Sequence, residues 1–137
     1  MPRGLPRGAS LGYDQSNPGK EALKLARERA KAFEASIEVV FTMAQNRELQ
    51  FLDIQRVERM MQREVANIYN GNSIPYKTRL MITNLNPGEG IVEFAKQNKI
   101  DEIIIGVKRK SKVGKILSGS TAQYVILNAP CPVVTLK

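Results

Sequence analysis

The sequence predicts an α/β domain built on a parallel sheet, with helices on both faces. Three observations carry that expectation. Segments of helical spacing alternate with short apolar segments along the chain, and parallel neighbours need such crossover connections. The run Ile103-Ile104-Ile105 is apolar at consecutive positions, as a strand covered on both faces must be. At 137 residues the chain has room for a single domain spanning 1–137, whose core covers roughly two thirds of the unfolded surface.

Taken in order, the elements follow from local chemistry. The first strand has only Ala9, Leu11 and Tyr13 to build it, and Gly4, Pro6, Gly8 and Gly12 interrupt the region. It is therefore expected to be short, with residues 1–8 forming a disordered or atypical N-terminus. Asn17-Pro18 supplies a capping residue and a proline at the first helical position, and apolar side chains then recur at 22, 23, 26, 30 and 33, the stripe of an amphipathic helix.

Ile37 to Met43 is a mostly apolar, β-branched run of strand length. Residues 47–69 return to helical spacing, with Ile54, Val57, Met61, Val65 and Ile68 on one face and a stop signal at Asn70-Gly71. Tyr76, Thr78, Leu80 and Ile82 alternate with Lys77, Arg79, Met81 and Thr83, the pattern of a strand near the sheet edge. Asn86-Pro87 opens a third helix that ends near Asn98, where Glu89 in the first turn favours the helix dipole. A strand over 103–105, a helix over 120–128 and a closing strand at Val133–Leu136 complete the chain.

Composition narrows the chemistry. Apolar residues at 42% and charged residues at 25% describe a folded domain rather than a disordered chain. No apolar run approaches a membrane span, and the first residues lack the apolar centre of a signal peptide; the expected setting is the cytoplasm, with no membrane partner. There is no histidine and one cysteine, Cys131. Those counts exclude a zinc site, a Ser-His-Asp triad, a Cys-His nucleophile pair and an internal disulfide. Cys131 lies between Pro130 and Pro132 before an apolar strand and is expected to be a buried, structural thiol.

The most informative segment is Gly106 to Ser120. Lys108, Arg109, Lys110, Lys112 and Lys115 give it five positive charges against no acid, within a net charge of +8. It follows a strand and leads into a helix N-terminus, where free N–H groups and the dipole favour an anion such as phosphate. In an open parallel sheet, ligands bind beyond the C-terminal ends of the strands, and this loop lies at one. Val113-Gly-Lys-Ile lacks the Gly-x4-Gly-Lys-Ser/Thr spacing of a Walker A loop. None of the eight aromatics lies in the loop, which argues against nucleic acid.

These residues resemble the universal stress proteins. Nucleotide-binding members carry a glycine, two residues, a second glycine, nine residues, then glycine with serine or threonine. Here Gly106 matches the first glycine, Arg109 stands in the place of the second, and Gly119-Ser120 completes the pattern after nine residues. Ala129-Pro-Cys-Pro-Val-Val-Thr-Leu is similar to the family's closing strand, and Asp14 with Ser16 to the acid and serine after its first strand.

The resemblance implies a Rossmann-like sheet of five parallel strands in order 3-2-1-4-5, similar to the adenine nucleotide alpha hydrolases. It implies a homodimer through Val133–Leu136 and adenine nucleotide, ATP with or without magnesium, at the switch between strands 1 and 4. By position, Asp14 would meet ribose or adenine, Tyr13 and Thr42 would line the base, and Gly106, Gly119, Ser120 and Thr121 would hold phosphates. Lys108 and Arg109 would add counter-charge. The expected role is regulation of a stress response, with no catalytic residue, no resident metal site and at most slow ATP hydrolysis. Two other readings of the loop remain open: a dimeric scaffold that meets an acidic protein without nucleotide, and nonspecific nucleic-acid binding.

Overall fold

The computed structural model describes residues 8–12, 17–45, 51–71, 74–106 and 120–136. Strand and helix alternate through β1 (Gly8–Gly12), α1 (Asn17–Phe33), β2 (Ser36–Ala44), α2 (Phe51–Tyr69), β3 (Tyr76–Thr83), α3 (Pro87–Gln97), β4 (Glu102–Gly106), α4 (Ser120–Asn128) and β5 (Val133–Leu136). The first strand is short, as expected, and begins at Gly8, which therefore belongs to the sheet rather than to an N-terminal arm. The rest of that arm, the expected first turn of α2 over 47–50, and the loop 107–119 lie outside the described residues.

The strands pair in parallel in the order β3-β2-β1-β4-β5. β1 is thus central, with Leu11 opposite Val39 on one side and Ile104 on the other. β3 and β5 are the two ends, and the alternation in β3 does mark an edge strand.

Strand alternation sends side chains to two cores, one on each face of the sheet. Ile37 and Val39 of β2 and Ile104 of β4 pack with Ala22, Leu23 and Ala26 of α1 and Met61 and Val65 of α2. Val40, Ile103 and Ile105 point the other way, to Ile91, Val92 and Phe94 of α3 and Val125 of α4. Leu23 is fully buried, and burial of such a side chain contributes about 1.5–3 kcal/mol. The isoleucines of β4 divide between the two cores because consecutive strand residues face opposite sides.

Helix ends follow the sequence signals. Asn86 caps α3: its side chain accepts a hydrogen bond from the Glu89 N–H at 2.9 Å, while its amide donates to Glu89 Oε1 at 2.5 Å. That reciprocal pair fixes the first turn. After α2, Gly71 adopts φ 78°, a left-handed conformation that glycine takes without a Cβ penalty.

Two sets of polar contacts tie α1 to β4 and to α2 across long sequence separations. Arg29 of α1 donates to both carboxylate oxygens of Glu102 at 2.5 and 2.6 Å, and Glu102 is only 6% exposed. Tyr69 donates its hydroxyl to the Leu23 carbonyl at 2.7 Å and meets the Tyr76 ring edge-on. No helix of the described residues is long and apolar enough to cross a membrane.

Candidate functional site

The C-terminal edge of the sheet is where the winding direction reverses. From β1 the chain passes through α1 to β2 on one side, and from β4 through α4 to β5 on the other. β1 and β4 end side by side, with Gly12 opposite Ile105, and Gly106 is the last residue of β4. Helices α1, α3 and α4 each begin at this edge, since each follows a strand. Their N-terminal amides and positive dipole ends therefore converge on it.

Two glycines at the start of α3 set how closely these elements approach. A Cβ on Gly88 would stand 2.9 Å from Tyr124 Cβ and 3.2 Å from the Thr121 carbonyl oxygen. The first turns of α3 and α4 therefore touch, with Thr121 against Gly88. A Cβ on Gly90 would stand 3.5 Å from Thr42 Cγ2 and 3.7 Å from Thr83 Cγ2, so α3 lies over the ends of β2 and β3.

Of the residues singled out by sequence, the structure describes Thr42, Gly106, Ser120 and Thr121. Thr42 stands two positions beyond Val40, the β2 partner of Gly12, and its methyl faces the first turn of α3. Gly106 ends β4 beside Leu136 of β5. Ser120 is the first residue of α4, and Thr121 is half-buried next to it. The β4 terminus and the α4 terminus thus share the edge at which β1 ends. Tyr13, Asp14, Lys108, Arg109 and Gly119 lie outside the described residues.

Gly88 and Gly90 did not stand out in the sequence as part of this edge. The available signal was a Gly-x-Gly in a helix's first turn, which propensity alone would disfavour. Among the described residues, no group of His, Cys, Asp and Glu could hold a metal ion. Among the described residues the shifted groups include Cys131, which lies at the opposite edge, where β4 and β5 begin. There burial pushes the Cys131 thiol up, and the charges of Asp101 and Glu102 push it further.

The universal stress protein family model matches residues 10–137. This α/β chain, with its switch point at the ends of β1 and β4, belongs to the universal stress protein family. A universal stress protein of Thermus aquaticus is 28% identical over 93% of this chain and 96% of its own length. One from Methanocaldococcus jannaschii is 47% identical over 51 residues, which is 37% of this chain and 30% of that protein. Among solved structures, a universal stress protein from Archaeoglobus fulgidus superposes with a TM-score of 0.83 at 25% identity, covering 96% of this chain and 98% of its own. Another structure from the same organism, in complex with dAMP, gives a TM-score of 0.78 at 22% identity over 97% and 99% of the two chains.

Proposed function

We propose that this protein binds an adenine nucleotide, ATP with or without magnesium, at the C-terminal edge between β1 and β4, and acts as a regulator in the cytoplasm rather than as a fast catalyst. The observation that carries the reading is the meeting of three features at one edge. They are the paired ends of β1 and β4, the N-terminus of α4, and, in the sequence that joins Gly106 to Ser120, five basic residues and two further glycines. Helix amides and glycine backbone suit a phosphate chain, so the residues present fit the group. The dAMP complex of the Archaeoglobus relative supports the adenine part.

In this reading Gly106, Gly119, Ser120 and Thr121 hold phosphates, Tyr13 and Thr42 flank the base, and Asp14 meets the ribose. Lys108 and Arg109 supply counter-charge. Arg109 stands where nucleotide-binding relatives are expected to have glycine; its guanidinium offers two parallel donors, each charge-assisted bond contributing about 1.5–3 kcal/mol. A micromolar site needs about 8 kcal/mol, so a few such contacts suffice once immobilisation is offset. The chain has no histidine, and a lone carboxylate such as Asp14 near phosphates suits ribose or magnesium better than base catalysis. Turnover is expected below about 1 s⁻¹. A homodimer through β5 completes the proposal.

The test is a mass spectrum of small molecules released on denaturing the purified protein, paired with a thermal-shift titration of ATP and magnesium. Adenine nucleotide in the released fraction, or stabilisation that saturates with ATP, is the expected result. Neither effect at millimolar ATP, in the wild type and in Arg109→Gly alike, would replace the nucleotide site with a nucleotide-free scaffold.

A further inference from the structure

The open edge of β3 presents a row of backbone hydrogen-bonding groups whose direction can be read from two bonds. Ile37 donates its N–H to the Pro75 carbonyl and Gln45 donates to the Thr83 carbonyl, both at 3.0 Å. In a parallel ladder with Ile37 opposite Tyr76, that phase turns the N–H and C=O of Lys77, Arg79 and Met81 toward β2. It turns those of Tyr76, Thr78, Leu80 and Ile82 outward. β3 ends the strand order, with no strand on its outer side among the described residues.

A groove runs beside this edge. It has a volume of about 590 Å³ and is lined by Gln62 of α2 and by Tyr76, Lys77, Thr78 and Arg79. Tyr76 and Leu80 point into the core under α1 and α2, so Lys77 and Arg79 share the opposite face. Lys77 is exposed and forms no ion pair among the described residues. Arg79 lies over the Phe94 ring and donates through Nε to Glu38 at 2.8 Å. Two cations two residues apart on one strand face discourage pairing with a like strand and favour an anionic one.

We propose that the β3 edge is a docking site for an extended acidic segment of a partner protein, which joins the sheet as an added strand and sets alternate carboxylates beside Lys77 and Arg79. Backbone bonds to Thr78 and Leu80 hold it, and the cations select it. The site is separate from the nucleotide reading, which concerns the far end of β1 and β4.

The probe is a fluorescent, end-blocked octapeptide of alternating threonine and glutamate, with a threonine–lysine octapeptide as its counterpart, read by anisotropy in about 50 mM salt to limit screening. The wild type is expected to bind the glutamate peptide at least about tenfold more tightly than the lysine peptide, a difference of 1.4 kcal/mol or more. Thr78→Pro removes an outward N–H while leaving the β2 ladder intact, and is expected to weaken binding about tenfold or more, a loss of similar size. Thr78→Ala keeps that donor and should bind as the wild type does. Lys77→Glu should reverse the preference toward the lysine peptide.

Equal binding of both peptides, no binding at millimolar peptide, or undiminished binding by a folded Thr78→Pro variant would overturn the proposal. Should Thr78→Pro not fold, the charge swap at Lys77 decides alone, and an unchanged preference rejects the site. Wild-type self-association that Thr78→Pro abolishes would make a second copy the occupant and equally reject an acidic partner.

Discussion

Cys131 lies half-buried against the core beneath α3 and α4, less enclosed than the buried thiol expected from its place between two prolines before an apolar strand. Burial raises its pKa above the ordinary 9.0, and the negative charges of Asp101 and Glu102 act in the same direction. A thiol whose folded pKa is raised holds its proton to higher pH than in the unfolded chain. Alkylation by iodoacetamide requires the thiolate. The pH midpoint of the native alkylation rate is therefore expected above 9.0, and that of the urea-unfolded chain near it. A native midpoint at or below the unfolded one would contradict this account.

The nearby Arg29–Glu102 pair shows what local reading misses at this scale. Asp101-Glu102 was visible as an acidic pair before an apolar run. Which of the two would be buried, and against which cation, depended on a contact 73 residues distant. No periodicity encodes such a partner. The Asn86–Glu89 cap, by contrast, is local and was legible from Asn86-Pro87 and the acid three residues on.

At the scale of the element, α3 is the clearest case. Its two first-turn glycines look alike in sequence and differ in their surroundings. Alanine at Gly88 would place a Cβ 2.9 Å from Tyr124 Cβ and 3.2 Å from a backbone oxygen, which forces α3 and α4 apart. The gain in helix propensity, about 1 kcal/mol, is smaller than the typical overpacking cost of about 1–3 kcal/mol. Gly88→Ala is expected to lower the urea midpoint. Gly90→Ala meets only ordinary contacts at 3.5 and 3.7 Å, so its midpoint should hold or rise. Equal effects from the two substitutions would mean that helix contact does not govern this turn.

Helix and strand identities were legible because the periods of 3.6 and 2 differ. The helix-to-helix distance was not, because it depends on which residue of α4 meets Gly88. Met81 illustrates the same limit: alternation placed it on an exposed face, yet it packs at the edge of the α3–α4 core, because α3 covers that end of β3.

For the whole molecule, the two ends of the sheet are expected to behave differently. Ile103 donates to the Pro132 carbonyl at 3.0 Å with Val133 as its partner, so the backbone groups of Val133 and Thr135 face away from β4. If β5 pairs with its copy as proposed, Thr135→Pro removes a donor from that seam alone. Sedimentation equilibrium should show a dimer for the wild type and for Thr78→Pro, and a monomer for Thr135→Pro. A dimer that survives Thr135→Pro would place the interface elsewhere. The alternation of elements announced a parallel sheet at this scale, and the family's glycine pattern pointed to its switch. The role of Arg109 in the proposed nucleotide site was not legible, since a guanidinium at that place in the sequence can either crowd a phosphate or donate to it.

The central place of β1 has a consequence for synthesis. Its partner in β2 begins at Ser36, but its other partner, β4, begins only at Glu102. A chain leaving the ribosome N-terminus first can close β1 onto β2 and β3 early and must then wait with one side of its middle strand uncovered. Pairing across so long an interval is slow and leaves edges open to aggregation. A strand that spans only Gly8 to Gly12 offers little length to a wrong neighbour during that wait, so the weakest strand in the sequence is also the safest one to leave exposed while the second half of the molecule is still being made.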